Sequence, residues 1–384
     1  MYNNKYWIGI RKSETEYDNN FFKDSIVVFG KKDDNTIKSL NYSLKKNLDH
    51  NDAKNDEVIT NYQKQYINSI LSNDSNAEFM FYNQIMALRY FSGCTNIICL
   101  NKKCLIDELE DKIYTREYYK NMIPTLPHLI LNGLDVSIQN LQKQFKNANA
   151  FVVQSKTGSG GSGTLVYNSD TQNNLINKDD NYLVTKYYTE SISINIHLMI
   201  SKNEVYVFPG SLQRIENQYN HLVYKGCDFK GFQRIKSELL KKSEQYSRII
   251  GADLQKRGYL GVCGIDFLIC NDEVYLMEIN SRFQNSSTVL NKALRENNMC
   301  SLQEMNYMCF NDLQINYQTI EVNYSSYIMD YEEESNYSFK YKPIEILDEP
   351  DIDMDFEKLS YWKSLIYDKE IFEGESYGIM EDKK

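Results

Sequence analysis

An α/β fold with a parallel sheet in its first third, followed by a strand-rich second section, is what the sequence predicts. Three observations carry this. Short apolar strands alternate with amphipathic helices between residues 26 and 100, the βαβ texture of a parallel sheet. From Phe151 onward, strands follow one another with little helix between them. The 384 residues, 42% hydrophobic and 13% aromatic, suffice for two or three structural units with substantial cores.

In chain order, residues 26–30 (IVVFG) read as the first strand. Residues 57–72 place Val58, Tyr62, Tyr66 and Ile70 on one helical face. A strand over 78–82 (EFMFY), a helix in NQIMALRYF and a strand over 96–100 (NIICL) continue the alternation. Residues 103–121 form a charged, helical stretch that stops before Ile123-Pro124. The second section has strands FVVQ (from Phe151), TLVY (164–167), YLVTKYY (182–188), SINIHLMI (193–200) and VYVFPG (205–210). A long amphipathic helix over 230–258 closes at Gly258, and GIDFLIC (264–270) and VYLMEIN (274–280) form a hairpin around Asn271-Asp272.

Charge and composition exclude several classes. Residues 330–384 hold 17 acidic and 7 basic residues, a net of −10 that equals the whole-chain imbalance. Residues 1–329 are therefore near neutral, and no basic face for nucleic acid is evident. The acidic stretch over 345–357 reads as a solvated surface, with a docking surface for a basic partner as the alternative. No apolar run approaches the ~20 residues of a membrane-spanning helix. MYNNKYWIGIRKSE lacks the pattern of a signal peptide, so a cytoplasmic protein is expected. Cysteines 94, 99, 104, 227, 263, 270, 300 and 309 form no CxxC pair, and His50, His128, His197 and His221 form no metal or triad spacing. The cysteines are expected as buried, reduced thiols.

Three signals carry chemistry. Gly158, Ser159, Gly160, Gly161, Ser162, Gly163 and Thr164 lie between two strands, where glycine lets backbone N–H groups close over phosphate oxygens. No Gly-Lys-Ser/Thr follows and no helix opens there, so the loop is not a Walker A motif, and a flexible hairpin without ligand is equally compatible with it. Period-2 alternation puts Glu278 and Asn280 on one strand face with Arg282 continuing the row, and the hairpin brings Asp266 beside them. Two carboxylates and an amide oxygen on a rigid sheet suit Mg²⁺, against the plainer reading of an outward polar face. Lys112, in DELEDK, would alone read as a solvated lysine.

Taken in order, a DK helix, a glycine-rich β-turn-β and GIDFLI…VYLMEINSRF resemble the ATP-grasp superfamily over roughly residues 80–290. The resemblance implies an ATP-grasp fold: a Rossmann-like α/β domain over 1–112 and two α+β subdomains over 113–188 and 189–384 that sandwich ATP. It implies that Asp266, Glu278 and Asn280 hold one or two Mg²⁺ ions (Mn²⁺ substituting), that residues 158–163 form the flap, and that Lys112 contacts phosphate. Lys186, Tyr187 and Tyr188 match the adenine-reading linker, and Arg282 matches an arginine that steadies the acyl phosphate. Arg214 would face the cleft and hold a substrate carboxylate, with a surface salt bridge as the alternative, and Gln284 and Ser286 would face it too. The chain departs from the family at Gln154, where a lysine is usual; Lys156 would compensate if the strand persists. Thr185 stands where a glutamate often starts the linker, and Glu190 is the nearby acid for ribose. These changes look more like the peptide- and amino-acid-ligase branches than the carboxylases.

The implied activity is an ADP-forming ligase that activates an amino acid or small peptide as an acyl phosphate and joins it to an amine. The alternatives are transfer to a carrier-protein thiol, modification of a ribosomal peptide, and a nucleotide-binding pseudoenzyme or interaction subunit. A carrier protein and a homodimer are the partners left open, with no nucleic acid and no membrane among them.

Overall fold

The computed structural model describes residues 4–10, 12–18, 20–27, 37–39, 57–158, 163–171, 175–218, 220–328, 331–332, 340–341, 344–347 and 379–381. β1 (Lys5–Ile8), β2 (Asp24–Val27), β3 (Ile37–Ser39) and β4 (Glu78–Phe81) make a parallel sheet in the order β3-β2-β1-β4. Helix α1 (Glu57–Asn73) precedes β4 and α2 (Gln84–Tyr90) follows it. Tyr66, Ile67 and Ile70 of α1 pack against Tyr6, Ile8, Ile26, Phe79 and Phe81 of the sheet. Tyr82 N donates to Ile8 O at 2.9 Å, so Gly9 and Tyr82 mark the carboxyl edge, where open parallel sheets collect ligands.

Two predicted elements differ. Residues 96–100 are not a strand: Ile97 bridges Phe79, but Cys99 turns to φ 61 and ends the extended run. The helical stretch expected over 103–121 is divided into two helices, α3 (Lys103–Glu110) and α4 (Lys112–Tyr119). Asp111 breaks them because its Oδ1 accepts from the N–H groups of Ile113 (3.0 Å) and Tyr114 (3.1 Å), capping α4.

Most of the rest of the described chain is built on one long, mainly antiparallel sheet. Its strands are β5 (His128–Asn132), β6 (Phe151–Ser155), β7 (Thr164–Tyr167), β8 (Asn181–Lys186), β9 (Ile192–Ile200), β10 (Val205–Val207), β11 (Ser211–Gln218), β12 (His221–Asp228), β13 (Gly261–Cys270) and β14 (Glu273–Asn280), with α5 (Ile138–Gln144) between β5 and β6. The order is β14-β13-β9-β11-β12-β7-β6-β8-β5, and β10 pairs with β9. The two halves meet at a narrow seam, where His221 of β12 pairs with Leu165 of β7.

Helices cover the larger half. The predicted helix over 230–258 is a short α6 (Phe229–Phe232) followed by α7 (Ser237–Lys256), and Gly258 at φ +81 ends it. Leu239, Ile250 and Leu254 of α7 pack on Ile194, Ile196, Ile265 and Leu276, in one core with Leu105, Ile106 and Leu109 of α3. A second core joins Trp7 and Met80 of the parallel sheet to α8 (Ser287–Glu296) and α9 (Leu302–Phe310) through Leu290 and Met305. The smaller half has its own core around Leu141, Phe151, Val153, Tyr167 and Val184.

β15 (Ser325–Ile328) pairs with β12 and with a strand over Ile344–Leu347, which takes up residues 345–347 of the acidic stretch. Residues 348–357 of that stretch lie outside the described residues. Cys104 is exposed on α3, unlike the buried thiols expected, whereas Cys227, Cys263, Cys270 and Cys309 are buried. Among the described residues no helix is long and apolar enough to cross a membrane.

Candidate active site

The β13–β14 hairpin assembles the acidic centre. Its two turn residues, Asn271 (φ 51) and Asp272 (φ 54), are both left-handed, as a two-residue hairpin of this hand requires. Asp266 and Glu278 are then direct partners, with Gly264 opposite Asn280. After Asp266 the pairing shifts so that Phe267 meets Leu276, which leaves Met277 as an extra residue. That bulge lets consecutive residues, Met277 and Glu278, both line one cavity. On the other side β9 sets Asn195 opposite Asp266, so Asn195, Asp266 and Glu278 form a row across three strands.

Lys112, the first residue of α4, is buried against this row. Its Nζ lies 2.6 Å from Glu278 Oε2 and donates to Gly158 O at 2.8 Å. One turn further on, Arg116 is fully buried and donates from Nε to Met277 O at 3.0 Å. Burial first, and the Glu278 charge second, push the Asp266 carboxyl above its ordinary 3.8. Burial also works against ionisation of Glu278, but the Lys112 ammonium and then the Arg282 guanidinium hold its pKa down.

This donor set fits a hard divalent cation. Two half-buried carboxylates face each other across paired strands, and their mutual repulsion is one that a cation between them would remove. Asn280 Nδ2 donates to Asp266 Oδ2 (2.9 Å) and Glu278 Oε1 (3.4 Å), while its Oδ1 accepts from Arg282 Nη2 (2.7 Å). To offer Oδ1 to a cation, the Asn280 amide would turn over about its last bond. Among the described residues, no three or more His, Cys, Asp or Glu side chains gather as a metal centre, so a cation here would rest on two carboxylates and an amide.

Arg282 also donates from Nη1 to Phe283 O at 3.2 Å and lines the cavity. Its loop is fixed at several points. Ser281 gives both N (3.3 Å) and Oγ (2.8 Å) to Glu110 Oε1, and Phe283 N donates to Tyr82 O at 3.2 Å. Tyr82, at the carboxyl edge of the parallel sheet, lines the same cavity as Arg282.

Other predicted residues fall as follows. Gln154 lines the cavity, donates from Nε2 to Thr164 Oγ1 at 3.4 Å, and its Oε1 has no hydrogen-bond partner among the described residues. Gly158, Thr164, Thr185, Lys186, Tyr187 and Tyr188 line it too, and Leu126, Leu268 and Met277 give that end an apolar wall. Lys186 Nζ stands 5.5 Å from the centre of the Tyr188 ring. Gly163 takes φ +75 at the return into β7, a conformation that favours glycine. The tip residues Ser159, Gly160, Gly161 and Ser162 lie outside the described residues.

Two expectations are corrected, and a third residue lies outside the cavity. Lys156 does not line the cavity beside Gln154: β6 stops at Ser155, and the exposed Lys156 Nζ pairs with Asp111 Oδ2 at 2.9 Å. Arg214 does not face the cleft. Gln213 and Ile215 line the cavity, so strand alternation turns the buried Arg214 to the opposite face of β11. Glu190 is exposed and outside the cavity lining.

Sequence reasoning missed Asn195, Gln213 and Tyr82 as cavity residues. A signal for Asn195 was present. Ser191, Ser193, Asn195 and His197 alternate with Ile192, Ile194 and Ile196, a polar row on an otherwise apolar strand.

Comparison with known proteins agrees with this geometry. Residues 109–286 match the ATP-grasp domain family. The carbamoyl phosphate synthase large chain of Helicobacter pylori is 29% identical over 112 residues, 29% of this chain. The match spans about a tenth of that protein's length (10%). Among solved structures, N5-carboxyaminoimidazole synthetase from Staphylococcus aureus with ADP superposes with a TM-score of 0.54 at 15% identity, covering 86% of this chain and 83% of that one. The biotin carboxylase domain dimer of the Hydrogenobacter thermophilus 2-oxoglutarate carboxylase, with MgADP, ADP and bicarbonate, gives 0.58 at 14% identity over 85% and 74%. At these identities the likeness establishes the fold, an ATP-grasp fold with a parallel sheet at the N-terminal end.

Proposed function

Residues 109–286 match the ATP-grasp domain family, and on that premise we propose an ADP-forming ligase that activates a carboxylate as an acyl phosphate and passes the acyl group to an amine. The observation that carries this reading is the convergence of Lys112, Asp266, Glu278, Asn280 and Arg282 on one cavity. Such a set places positive charge and cation ligands where a polyphosphate and an attacking carboxylate would meet.

In this reading the nucleotide base lies at the apolar end, against Leu126, Leu268 and Met277 beside Lys186–Tyr188. Lys112 exchanges its contact with Glu278 for a phosphate oxygen. Mg²⁺, when bound by Asp266, Glu278 and Asn280, neutralises phosphate charge. Arg282 holds the substrate carboxylate in line with the γ-phosphorus. A carboxylate oxygen bonds to that phosphorus, the bond to the β-phosphate oxygen breaks, and ADP leaves. The amine then attacks the acyl carbon and phosphate departs. No covalent enzyme nucleophile is required, so the reading needs no activated serine or cysteine.

A second reading takes bicarbonate as the activated acid. It is favoured by the named activities of the structural neighbours, which are carboxylating enzymes. One assay separates the two. ADP and phosphate release would be followed with Mg·ATP and pooled amino acids, each pool with and without hydroxylamine, and with bicarbonate alone. Hydroxamate formation with an amino-acid pool supports the ligase. Release that depends only on bicarbonate supports the second reading, and release in no arm contradicts both.

A further inference from the structure

Asp266 is unusually constrained for a carboxylate offered to a cation, and its constraint comes from amides. Oδ1 accepts from Asn195 Nδ2 at 2.6 Å and from Gln213 Nε2 at 3.0 Å. Oδ2 accepts from Asn280 Nδ2 at 2.9 Å. With Oδ1 taken by two donors, Oδ2 is the oxygen left to face a cation once Asn280 turns.

Asn195 is itself held on three sides. Its Nδ2 also donates to Gln284 Oε1 (2.9 Å) and Ile265 O (3.3 Å), and its Oδ1 accepts from Ser286 Oγ (3.4 Å). Gln284 in turn lies flat over Gly264, where any Cβ would overlap its amide, and its backbone N donates to Ser287 Oγ at 2.9 Å. Asn195 is 3% exposed, whereas Asp266 and Gln213 are half-buried at the cavity wall. One amide thus ties the loop that carries Arg282 to the carboxylate on the neighbouring strand.

The geometry points to Asn195 as a positioning residue that fixes the Asp266 rotamer for cation binding and couples it to the Arg282 loop. Groups behind a metal ligand set its orientation, and losing one costs metal affinity on the order of 10- to 100-fold. This inference rests on the metal assignment proposed above, and the test separates the two.

Mn²⁺ binding in the presence of ADP would be measured by electron paramagnetic resonance, alongside ADP binding in EDTA. The wild-type protein and Asn195→Ala would be compared, with Asn195→Leu filling the same volume without a donor in case the alanine variant is destabilised. The expected result is a loss of Mn²⁺ affinity of about 10-fold or more in a folded variant, with metal-free ADP affinity within about twofold of wild type. Equal Mn²⁺ affinity in wild type and either folded variant overturns the inference, as does an equal loss of metal-free ADP binding, which marks a merely structural residue. Failure of the wild-type protein to bind Mn²⁺ overturns the metal assignment instead, and the inference falls with it.

Discussion

Lys112 Nζ sits 2.6 Å from Glu278 Oε2, joining the first turn of α4 to the second strand of the acidic hairpin. The contact requires α4 to start at residue 112, which Asp111 enforces by capping the helix. Lysine and glutamate together hold a charge pattern that neither element carries alone.

Replacing Glu278 by glutamine keeps the shape and removes the charge that Lys112 neutralises. Mg·ATP turnover should fall by about 100-fold or more while the circular dichroism spectrum stays unchanged. Full activity in this variant would refute the metal assignment.

Gln154 offers an amide whose Oε1 has no hydrogen-bond partner among the described residues. Gln154→Lys adds a cation to a wall of the cavity that has none at that position, so ADP affinity measured by calorimetry should stay the same or rise. A loss of tenfold or so would show a role for the Gln154 amide other than phosphate contact.

Gly264→Ala should displace Gln284, because a Cβ there overlaps the Gln284 amide. The Arg282 loop then shifts, and turnover should drop more than ADP affinity does. Steady-state kinetics beside ADP titration check this, and equal effects on both would contradict it.

His197 is fully buried, with Nε2 3.0 Å from Ser287 Oγ, and burial pushes its pKa down to about 3. The unfolded chain takes up this proton near pH 6.5 and the folded chain does not until far lower. The neutral ring therefore supports the fold above about pH 6.5, and that support is lost as pH falls toward 3, by up to about 1.4 kcal/mol per pH unit. Urea unfolding at several pH values should show a shallower acid slope in a folded His197→Gln variant.

What could be read from the sequence was what local pattern determines. The β13–β14 hairpin was legible because two apolar runs flank an Asn-Asp turn, but that turn alone would set Asp266 opposite Met277, and it is the bulge at Met277, which no local pattern announces, that puts Asp266 against Glu278. β11 and β12 were not, since SLQRIENQ and HLVYKGCD mix polar and apolar residues without a clean period and carry a pairing shift at Arg214/Ile215. The face of Arg214 depends on strand parity, so an unrecognised strand gave the wrong side. NIICL looked like a strand because apolar runs do, and only the left-handed Cys99 reveals otherwise. Lys112 became interpretable through its order relative to distant motifs, whereas Asn195 needed the β9–β13 register to show what its amide touches.

Isothermal titration of ATP into the protein, with Mg²⁺ and with EDTA, probes whether a cation at Asp266 and Glu278 completes an ATP site. Saturable binding that weakens by about tenfold or more when the cation is removed is the expected result. Absence of ATP binding in both conditions, or affinity indifferent to Mg²⁺, would contradict it.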